Sequence, residues 1–400
     1  MVIFKPCSTA AILALVAIVP LTHLGTMPVA LFMRRYWQRR PLLIRNALPD
    51  FKTPLAASSL FALAGREEVE SRLVTAFDGW HLHSGPIARR RIPPLGKPGW
   101  TLLVQGVDLH DDCAADLLAR FRFIADARLD DLMLSYASDG GGVGPHVDDY
   151  DVFLLQAQGQ RRWRVGKGNA GEFLPDLPLK ILRRFKPEQD WILEAGDLLY
   201  LPPGVAHEGT AVGGACMTCS VGFRAPAWRE LLEPWLDTLA ARPMQDGRYA
   251  DRGAPPTHKP ARLPNAFVDA TLAALLRTPP SRANTRNLLL TFLTEPKPHI
   301  VFARPRRILS ARELRDLSRR VGLQLDRRTR MLYSGAAIAI NGELVPTPAT
   351  DRTLMHALAD RRTLAPAHMA ALGAASWNQL ASWYGAGWLH LSLRDARTPR

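Results

Sequence analysis

The sequence has little of what would assign it to several common classes of protein. Only four cysteines occur in 400 residues, which excludes a small scaffold held together by disulfides. No internal repeat is visible. The glycine-rich stretch 140–144 is not followed by the Lys-Ser/Thr pair of a phosphate-binding loop. Disorder over the whole chain is also excluded, because ten Trp and fourteen Phe supply ample apolar material for a core.

Long apolar runs are scarce as well. Residues 9–21 form one such run, which is too short to cross a bilayer comfortably but has the length of a signal-peptide core. No small-residue cleavage site follows, and the chain continues into the basic stretch 33–40. We therefore expect residues 1–20 to be an N-terminal extension, such as one from a misassigned start codon, with a secretion signal as the alternative. We expect the protein to be cytoplasmic, without a membrane partner.

Charge is distributed unevenly along the chain. Residues 225–400 contain 26 Lys and Arg against 14 Asp and Glu, and residues 301–330 alone contain ten Arg. Residues 108–151, in contrast, contain eleven Asp and only three Arg. A basic half suggests a polyanionic neighbour such as RNA or the ribosome, and an acidic stretch suggests a cationic substrate. The alternative for the arginine cluster is that these side chains form a solvated helix face.

The spacing of apolar residues changes twice along the chain. Between residues 130 and 224, short apolar runs alternate with Gly and Pro turns, a pattern typical of an antiparallel sandwich or barrel. Within it, 151–155 and 161–165 read as separate strands. Outside this region the pattern is mainly helical. It predicts helices over 28–38, 111–123, 228–239, 310–322, 352–363 and 374–384, two helical patches within 54–77, two helices within 265–294, and a hairpin over 331–345 with Asn341-Gly342 as its turn.

One group of residues stands out from this background: His146-Val-Asp148, followed by His207. Residues i and i+2 of a strand point to the same side, so His146 and Asp148 share a face, and antiparallel pairing across a barrel would bring His207 opposite them. Two imidazoles and one carboxylate form the facial triad of non-haem Fe(II) oxygenases. Spacing alone leaves a second interpretation ahead, a hydrogen-bonded His–Asp pair at the mouth of a loop.

A resemblance to a known family changes that balance. Residues 130–165, with the run GGGVGPHVD, and residues 194–224, with the run LPPGVAHEG, resemble the ribosomal oxygenases of the bacterial cupin-4 family. These are JmjC-type hydroxylases that use Fe(II), 2-oxoglutarate and O2 and act on ribosomal proteins. The similarity extends back to about residue 20 and weakens after about residue 250.

The resemblance implies an α+β fold. Its centre is a double-stranded β-helix, the cupin/JmjC jelly roll, preceded by N-terminal helices. The implied domains are 21–224 for catalysis, 225–300 as a helical dimerisation segment, and 301–400 as a small winged-helix-like domain. Trp228, Leu232 and Trp235 are candidates for the interface of a homodimer, although packing on their own barrel is the alternative.

The same resemblance assigns roles at the site. His146, Asp148 and His207 match the iron ligands, Arg161 matches the residue that pairs with the distal carboxylate of 2-oxoglutarate, and Ser135 matches a polar residue at the same co-substrate. An arginine suits this task because its guanidinium can meet a carboxylate with two hydrogen bonds. Arg162 and Arg164 are rivals for that role, but strand alternation sends Arg162 to the opposite face from Arg161 and places Trp163 on the same face.

The implied activity is hydroxylation of a side-chain carbon. In the family's bacterial prototype this is the β-carbon of an arginine in large-subunit ribosomal protein sixteen. Asp139 and Asp149 lie near the ligands in the sequence, and we expect them to contact a cationic substrate side chain, the alternative being that they cap turns and face water. Two other functions stay open: hydroxylation of another ribosomal-protein residue such as histidine, and a catalytically silent cupin that binds RNA through its basic half.

Overall fold

The structure is a computed structural model that describes residues 19–168, 172–240, 265–276 and 281–392. The predicted extension 1–20 therefore lies almost entirely outside the described residues. Three helices and six strands precede the central barrel strands. In chain order they are β1 (His23–Leu24), β2 (Met27–Pro28), α1 (Val29–Arg35), β3 (Leu42–Ile44), α2 (Ala57–Ala64), β4 (Ser71–Thr75), β5 (His81–Ser84), β6 (Trp100–Val104) and α3 (Asp112–Ala119).

The prediction of two helical patches within 54–77 is wrong in its second half. The first patch is α2, but residues 65–69 form turns and bends, and β4 then begins at Ser71 and pairs with β5 on one side and β6 on the other. Pairing with distant strands and burial of Leu73 and Val74 override the helical preference of the charged stretch 66–72.

The predicted antiparallel barrel is confirmed. Its remaining strands are β7 (Leu129–Ala137), β8 (His146–Val147), β9 (Asp151–Gly168), β10 (Phe185–Leu193), β11 (Leu198–Leu201) and β12 (Ala206–Phe223). The strand order is β3-β11-β9-β12-β7-β6-β4-β5, with β10 paired to β9 and β8 paired to β12. All of these pairs are antiparallel.

Two long strands join the two layers of the barrel. The first part of β9 pairs with β11 and its second part with β10, while β12 pairs first with β8 and then with β7. The prediction of separate strands over 151–155 and 161–165 is therefore wrong. The chain turns between them without leaving the sheet, because Gly159 has a φ of +66° and a Cβ there would collide with the carbonyl oxygen of Ala215.

Apolar side chains from both layers meet inside the barrel. They come from β9, β10 and β11 and form one buried cluster: Val152, Leu154, Trp163, Val165, Leu193, Leu199 and Leu201. A larger core lies on the outer side of β7, β9 and β12, where Phe153, Tyr200 and Phe223 pack against Phe32 and Trp37 of the N-terminal region. The N-terminal segment thus covers one face of the barrel.

The remaining chain is helical and then mixed. Its elements are α4 (Trp228–Ala240), α5 (Asn265–Leu276), α6 (Arg282–Thr294), α7 (Ala311–Val321), β13 (Leu323–Leu325), β14 (Met331–Ser334), β15 (Ala337–Ile340), β16 (Glu343–Leu344), α8 (Arg352–Arg361), β17 (Thr363–Leu364), α9 (Ala374–Ala386) and β18 (Leu389–Leu391). The strands form two small sheets around a separate apolar core. Ser310 and Glu313 make the reciprocal bonds of a capping box, and Asn341-Gly342 turns with φ of +47° and +88°.

Ion pairs connect this C-terminal unit to the barrel. Asp130, at the start of β7, lies 3.2 Å from Lys297 and 3.3 Å from Arg330. Asp112 of α3 pairs with Arg327. In the parts of the chain that the structure describes, no helix combines the length and the apolar character that crossing a membrane requires.

Candidate metal centre and co-substrate pocket

Three side chains converge at one end of the barrel. His146 of β8 stands directly opposite His207 at the start of β12, as antiparallel pairing predicts, and Asp148 follows the end of β8. The Asp148 Oδ2 atom lies 3.9 Å from His146 Nε2 and 3.6 Å from His207 Nε2. One potential ligand atom from each residue lies within 4.8 Å of the other two. The sequence-predicted triad is therefore brought together in space.

The two imidazoles are held in the tautomer that a metal needs. His146 Nδ1 lies 2.9 Å from the carbonyl oxygen of Gly144, and His207 Nδ1 lies 2.9 Å from that of Val205. Because a carbonyl oxygen can only accept, each Nδ1 carries the hydrogen and each Nε2 keeps a lone pair that can bind a metal. Gly144 has a φ of +76°, so a glycine is favoured at the point where the chain turns into β8.

Burial sets the charges of these groups. It lowers the pKa of His207 to about 3, with a further contribution from the positive charge of His146, so His207 is neutral at pH 7. Burial also raises the pKa of Asp148, while the charge of His146 and a hydrogen bond from the Tyr150 hydroxyl act in the opposite direction. Two imidazoles and one carboxylate are the donor set that suits Fe(II).

Arg161 lies deeper in the same barrel and has no anionic partner. It is 4% exposed, and none of the described carboxylates lies within 4.0 Å of it. Its Nη2 donates to the carbonyl oxygen of Gly209 at 3.2 Å, while Nε and Nη1 have no hydrogen-bond partner among the described residues. A buried, uncompensated cation is unfavourable, and an anionic ligand would relieve it. This environment fits the far carboxylate of a dicarboxylate.

The rival arginines lie on the outside of the barrel. Arg162 is exposed and pairs with Asp190, and Arg164 pairs with Glu208. The predicted strand alternation is thus found in the structure, since Trp163 is buried on the same face as Arg161. The family resemblance selected Arg161, and strand alternation correctly separated it from Arg162 and Arg164.

Ser135 also lies inside the barrel. It is buried on β7 opposite Thr218 of β12, with its Oγ 3.4 Å from the carbonyl oxygen of Thr218. The Thr218 hydroxyl in turn donates to Gln156 at 2.9 Å, so a short polar patch crosses three strands here. Such a patch can accommodate polar atoms of a small ligand in an interior that is otherwise apolar.

The two aspartates predicted to meet the substrate are at the surface. Both Asp139 and Asp149 are exposed. Asp139 accepts a hydrogen bond from the backbone N–H of Gly214 at 3.2 Å, whereas Asp149 acts on the site through its charge, which raises the pKa of Asp148. Their contact with a substrate stays a prediction.

Sequence reasoning missed two neighbours of the Asp148 carboxylate. The Tyr150 hydroxyl and the charge of Arg72 on β4 both favour its ionised form and so act to lower its pKa. The position of Tyr150, two residues after Asp148, was a signal that the motif search did not use. Arg72 gave no signal, because only the folded sheet brings β4 near this loop.

Comparison with known proteins identifies the family. Residues 116–231 match the JmjC domain, and residues 274–390 match the ROXA-like winged helix. The ribosomal protein uL16 3-hydroxylase of Escherichia coli is 36% identical over 337 residues, which cover 83% of this chain and 89% of that protein. The chain belongs to the JmjC-type ribosomal oxygenases. A probable ribosomal oxygenase of Haemophilus influenzae is 38% identical over 208 residues, 51% of each chain.

Solved structures of this family confirm the fold class. The ribosomal oxygenase YcfD of Escherichia coli, in complex with cobalt and 2-oxoglutarate, has a TM-score of 0.78 and 32% identity over 92% of this chain and 99% of its own. The same oxygenase with cobalt and succinic acid has a TM-score of 0.80 and 33% identity over the same shares. The JmjC/cupin fold with a winged-helix domain is thus established. The boundaries at 224 and 300 stay predictions, and α6 already lies within the winged-helix match.

Proposed function

We propose that this protein is an Fe(II)- and 2-oxoglutarate-dependent oxygenase that hydroxylates a side-chain carbon of a ribosomal protein. The observation that carries this function is a His-Asp-His cluster in the same barrel as a buried arginine without an anionic partner. His146, Asp148 and His207 would hold the iron, and Arg161 and Ser135 would hold 2-oxoglutarate. Together with O2, the iron and the co-substrate supply the oxidising chemistry that protein side chains lack.

The chain's own residues orient these groups and exclude water. The carbonyl oxygens of Gly144 and Val205 fix the two imidazole rings. Arg161 neutralises the far end of the co-substrate. The apolar cluster inside the barrel keeps bulk water from the reacting atoms. Each of these tasks is done before the reaction starts, which is how a rigid barrel contributes to catalysis.

The substrate we propose is an arginine of ribosomal protein uL16, hydroxylated on its β-carbon. Support comes from the Escherichia coli relative, which is named for 3-hydroxylation of uL16 and matches over 89% of its length. Further support comes from Asp139 and Asp149, two exposed acids near the metal ligands that suit a cationic side chain. A ribosomal-protein substrate also implies a cytoplasmic enzyme.

Mass spectrometry tests this function. A peptide that carries the target arginine of uL16 should gain the mass of one oxygen atom only when Fe(II), 2-oxoglutarate and O2 are all present. A matched peptide with glutamine at the target should gain none. Hydroxylation of a histidine peptide instead would replace the arginine assignment. The absence of iron-dependent succinate formation with any ribosomal protein would favour a silent RNA-binding cupin.

A homodimer is the oligomeric state we propose. Helix α4 exposes Trp228 by 88%, Leu232 by 49% and Leu236 by 50%, which lie on one helical face, while the predicted Trp235 is half-buried. Helix α5 exposes a further apolar group: Phe267, Val268 and Leu272. Soluble monomers rarely expose so much apolar surface, and a second copy of the same segment would cover it. A monomer by light scattering at micromolar concentration would contradict this proposal.

The basic C-terminal domain supports contact with ribosomal RNA. Exposed arginines surround α7: Arg304, Arg306, Arg307, Arg312, Arg319 and Arg320. If they contact phosphates, replacing Arg312 and Arg320 by alanine should weaken binding to an RNA fragment and reduce the dependence of affinity on salt. Arg184→Ala is the matched control, because Arg184 is exposed but lies in the barrel part of the chain, before the C-terminal domain. If the arginine variant and the control bind RNA equally well, RNA is not a partner of this domain.

A further inference from the structure

Two neighbours of Arg161 have a part in the site that the family resemblance does not assign. The first is Trp163, which is 5% exposed and lies on the same inward face of β9. The Cζ atom of Arg161 sits 5.1 Å from the centroid of the indole ring, so the guanidinium lies on an aromatic surface. The other neighbour of the indole is His207, with ring centroids 5.9 Å apart. Trp163 therefore lies between the metal ligand and the cation.

The second neighbour is Gly209, which pairs directly with Trp163 across β9 and β12. A Cβ at this position would lie 2.7 Å from Arg161 Nε and 2.7 Å from Cη2 and Cζ3 of Trp163. Because Arg161 and Trp163 are both buried, neither has room to move away. Only a glycine at 209 leaves space for the guanidinium and the indole side by side.

This arrangement folds Arg161 back towards the metal ligands. The backbone of Arg161 pairs with Ala211, but its guanidinium bonds to the carbonyl oxygen of Gly209, two residues closer to His207. A two-residue step along a strand is about 6.6 Å. The fold-back therefore brings the cation closer to His207 along β12 by about one such step. A dicarboxylate held by both the metal and this cation must fit the distance that remains between them.

We infer that Trp163 and Gly209 are positioning residues that fix the guanidinium of Arg161 and thereby select 2-oxoglutarate by its length. The inference rests on the proposed function, because it concerns the co-substrate of that same site. The indole holds the plane of the guanidinium, and the missing side chain at 209 sets how far it folds back. A shorter or longer 2-oxo dicarboxylate cannot reach the metal and this fixed cation equally well.

The test measures binding rather than turnover. Cobalt-loaded protein is titrated calorimetrically with 2-oxoglutarate and with 2-oxoadipate, which has one more methylene. Trp163→Leu, which removes the aromatic surface, should raise the Kd for 2-oxoglutarate about tenfold, and Trp163→Phe, which keeps it, by less than about threefold. Gly209→Ala should raise this Kd at least tenfold and narrow the preference for 2-oxoglutarate over 2-oxoadipate. Gly96→Ala is the control, because a Cβ at Gly96 meets no atom within 4 Å.

Affinity for cobalt separates positioning from a general structural role. Both Trp163→Leu and Gly209→Ala should bind cobalt as the wild type does, since neither residue is a ligand. Unchanged 2-oxoglutarate affinity in both variants, or a parallel loss of cobalt and 2-oxoglutarate affinity, would overturn the inference. A wild-type protein that binds cobalt but not 2-oxoglutarate would overturn the proposed function as well. The two failures are therefore distinguishable.

Discussion

Replacing Arg161 by methionine should change folding stability and co-substrate affinity in opposite directions. In the ligand-free protein this cation is 4% exposed, has no anionic partner among the described residues and leaves two of its nitrogens without hydrogen bonds. Each buried unsatisfied polar group costs about 1–3 kcal/mol. The substitution removes that cost and the favourable contacts with Trp163 and Gly209 together, so the free energy of unfolding should stay unchanged or rise.

Binding of 2-oxoglutarate should respond far more strongly. Removing one partner of a buried charge pair costs about 2–5 kcal/mol, which corresponds to roughly a 30-fold to 5,000-fold rise in Kd. Urea denaturation of the metal-free protein measures the first effect, and calorimetric titration of the cobalt-loaded protein measures the second. Arg162→Met is the matched control, because Arg162 is exposed and paired with Asp190 on the outside of the barrel, and it should change neither quantity appreciably.

Two results would refute this reasoning. If Arg161→Met unfolds the ligand-free protein, then the cation contributes to stability through a partner that the structure does not show. If Arg162→Met weakens 2-oxoglutarate binding more than Arg161→Met does, then the register of β9 is shifted by one residue and the inward face is the other one.

Three further outcomes are expected. Asp148→Ala should abolish iron binding and hydroxylation while the circular dichroism spectrum stays native, and full activity would refute the facial triad. Asp139→Asn and Asp149→Asn should reduce hydroxylation of an arginine peptide; no loss in either variant would show that these charges do not recognise the substrate. Burial raises the pKa of Asp108 to about 7 and that of Asp131, beside it, to about 6. The folded protein thus holds protons that the unfolded chain releases above its ordinary pKa, so these carboxyls reduce stability as the pH rises from about 4 to 7. Asp108→Asn should therefore raise the unfolding temperature at pH 8 and change it little at pH 4; an equal rise at both would contradict this.

Local patterns were enough to predict much of the site. The alternation of strand side chains separated Arg161 and Trp163 from Arg162, and the structure places them on the expected faces. The antiparallel pairing expected between His146 and His207 is also found. The first prediction follows from the period of a strand alone, and the second from the antiparallel barrel that the short strands between Gly and Pro turns indicated.

Other features that depend on distant pairing were not predicted. Continuity of β9 through residues 156–160 depends on Gly159 meeting the β12 corner near Ala215, which no local signal reveals. The helical patch predicted at 66–72 is instead a turn that leads into β4, because two neighbouring strands were available to pair with the residues from Ser71 onward. The raised pKa of Asp108 is of the same kind, since it arises from burial next to Asp131 across an unpredicted contact.

Part of the uneven charge of the chain forms ion pairs inside the molecule. The acidic stretch 108–151 was interpreted as a substrate surface, yet Asp112 pairs with Arg327, and Asp130 pairs with both Lys297 and Arg330. These contacts join the barrel to the winged-helix domain and neutralise part of both charged regions. The net charge of each region is therefore larger than the charge that stays available to bind a substrate or RNA. The charges that remain for a cationic substrate are the exposed aspartates near the metal ligands, and those that remain for RNA are the exposed arginines around α7. Binding of the substrate and binding of RNA should therefore each involve few charged contacts. Both should weaken as salt is added, because exposed charges are screened within about 10 Å at 0.1 M ionic strength.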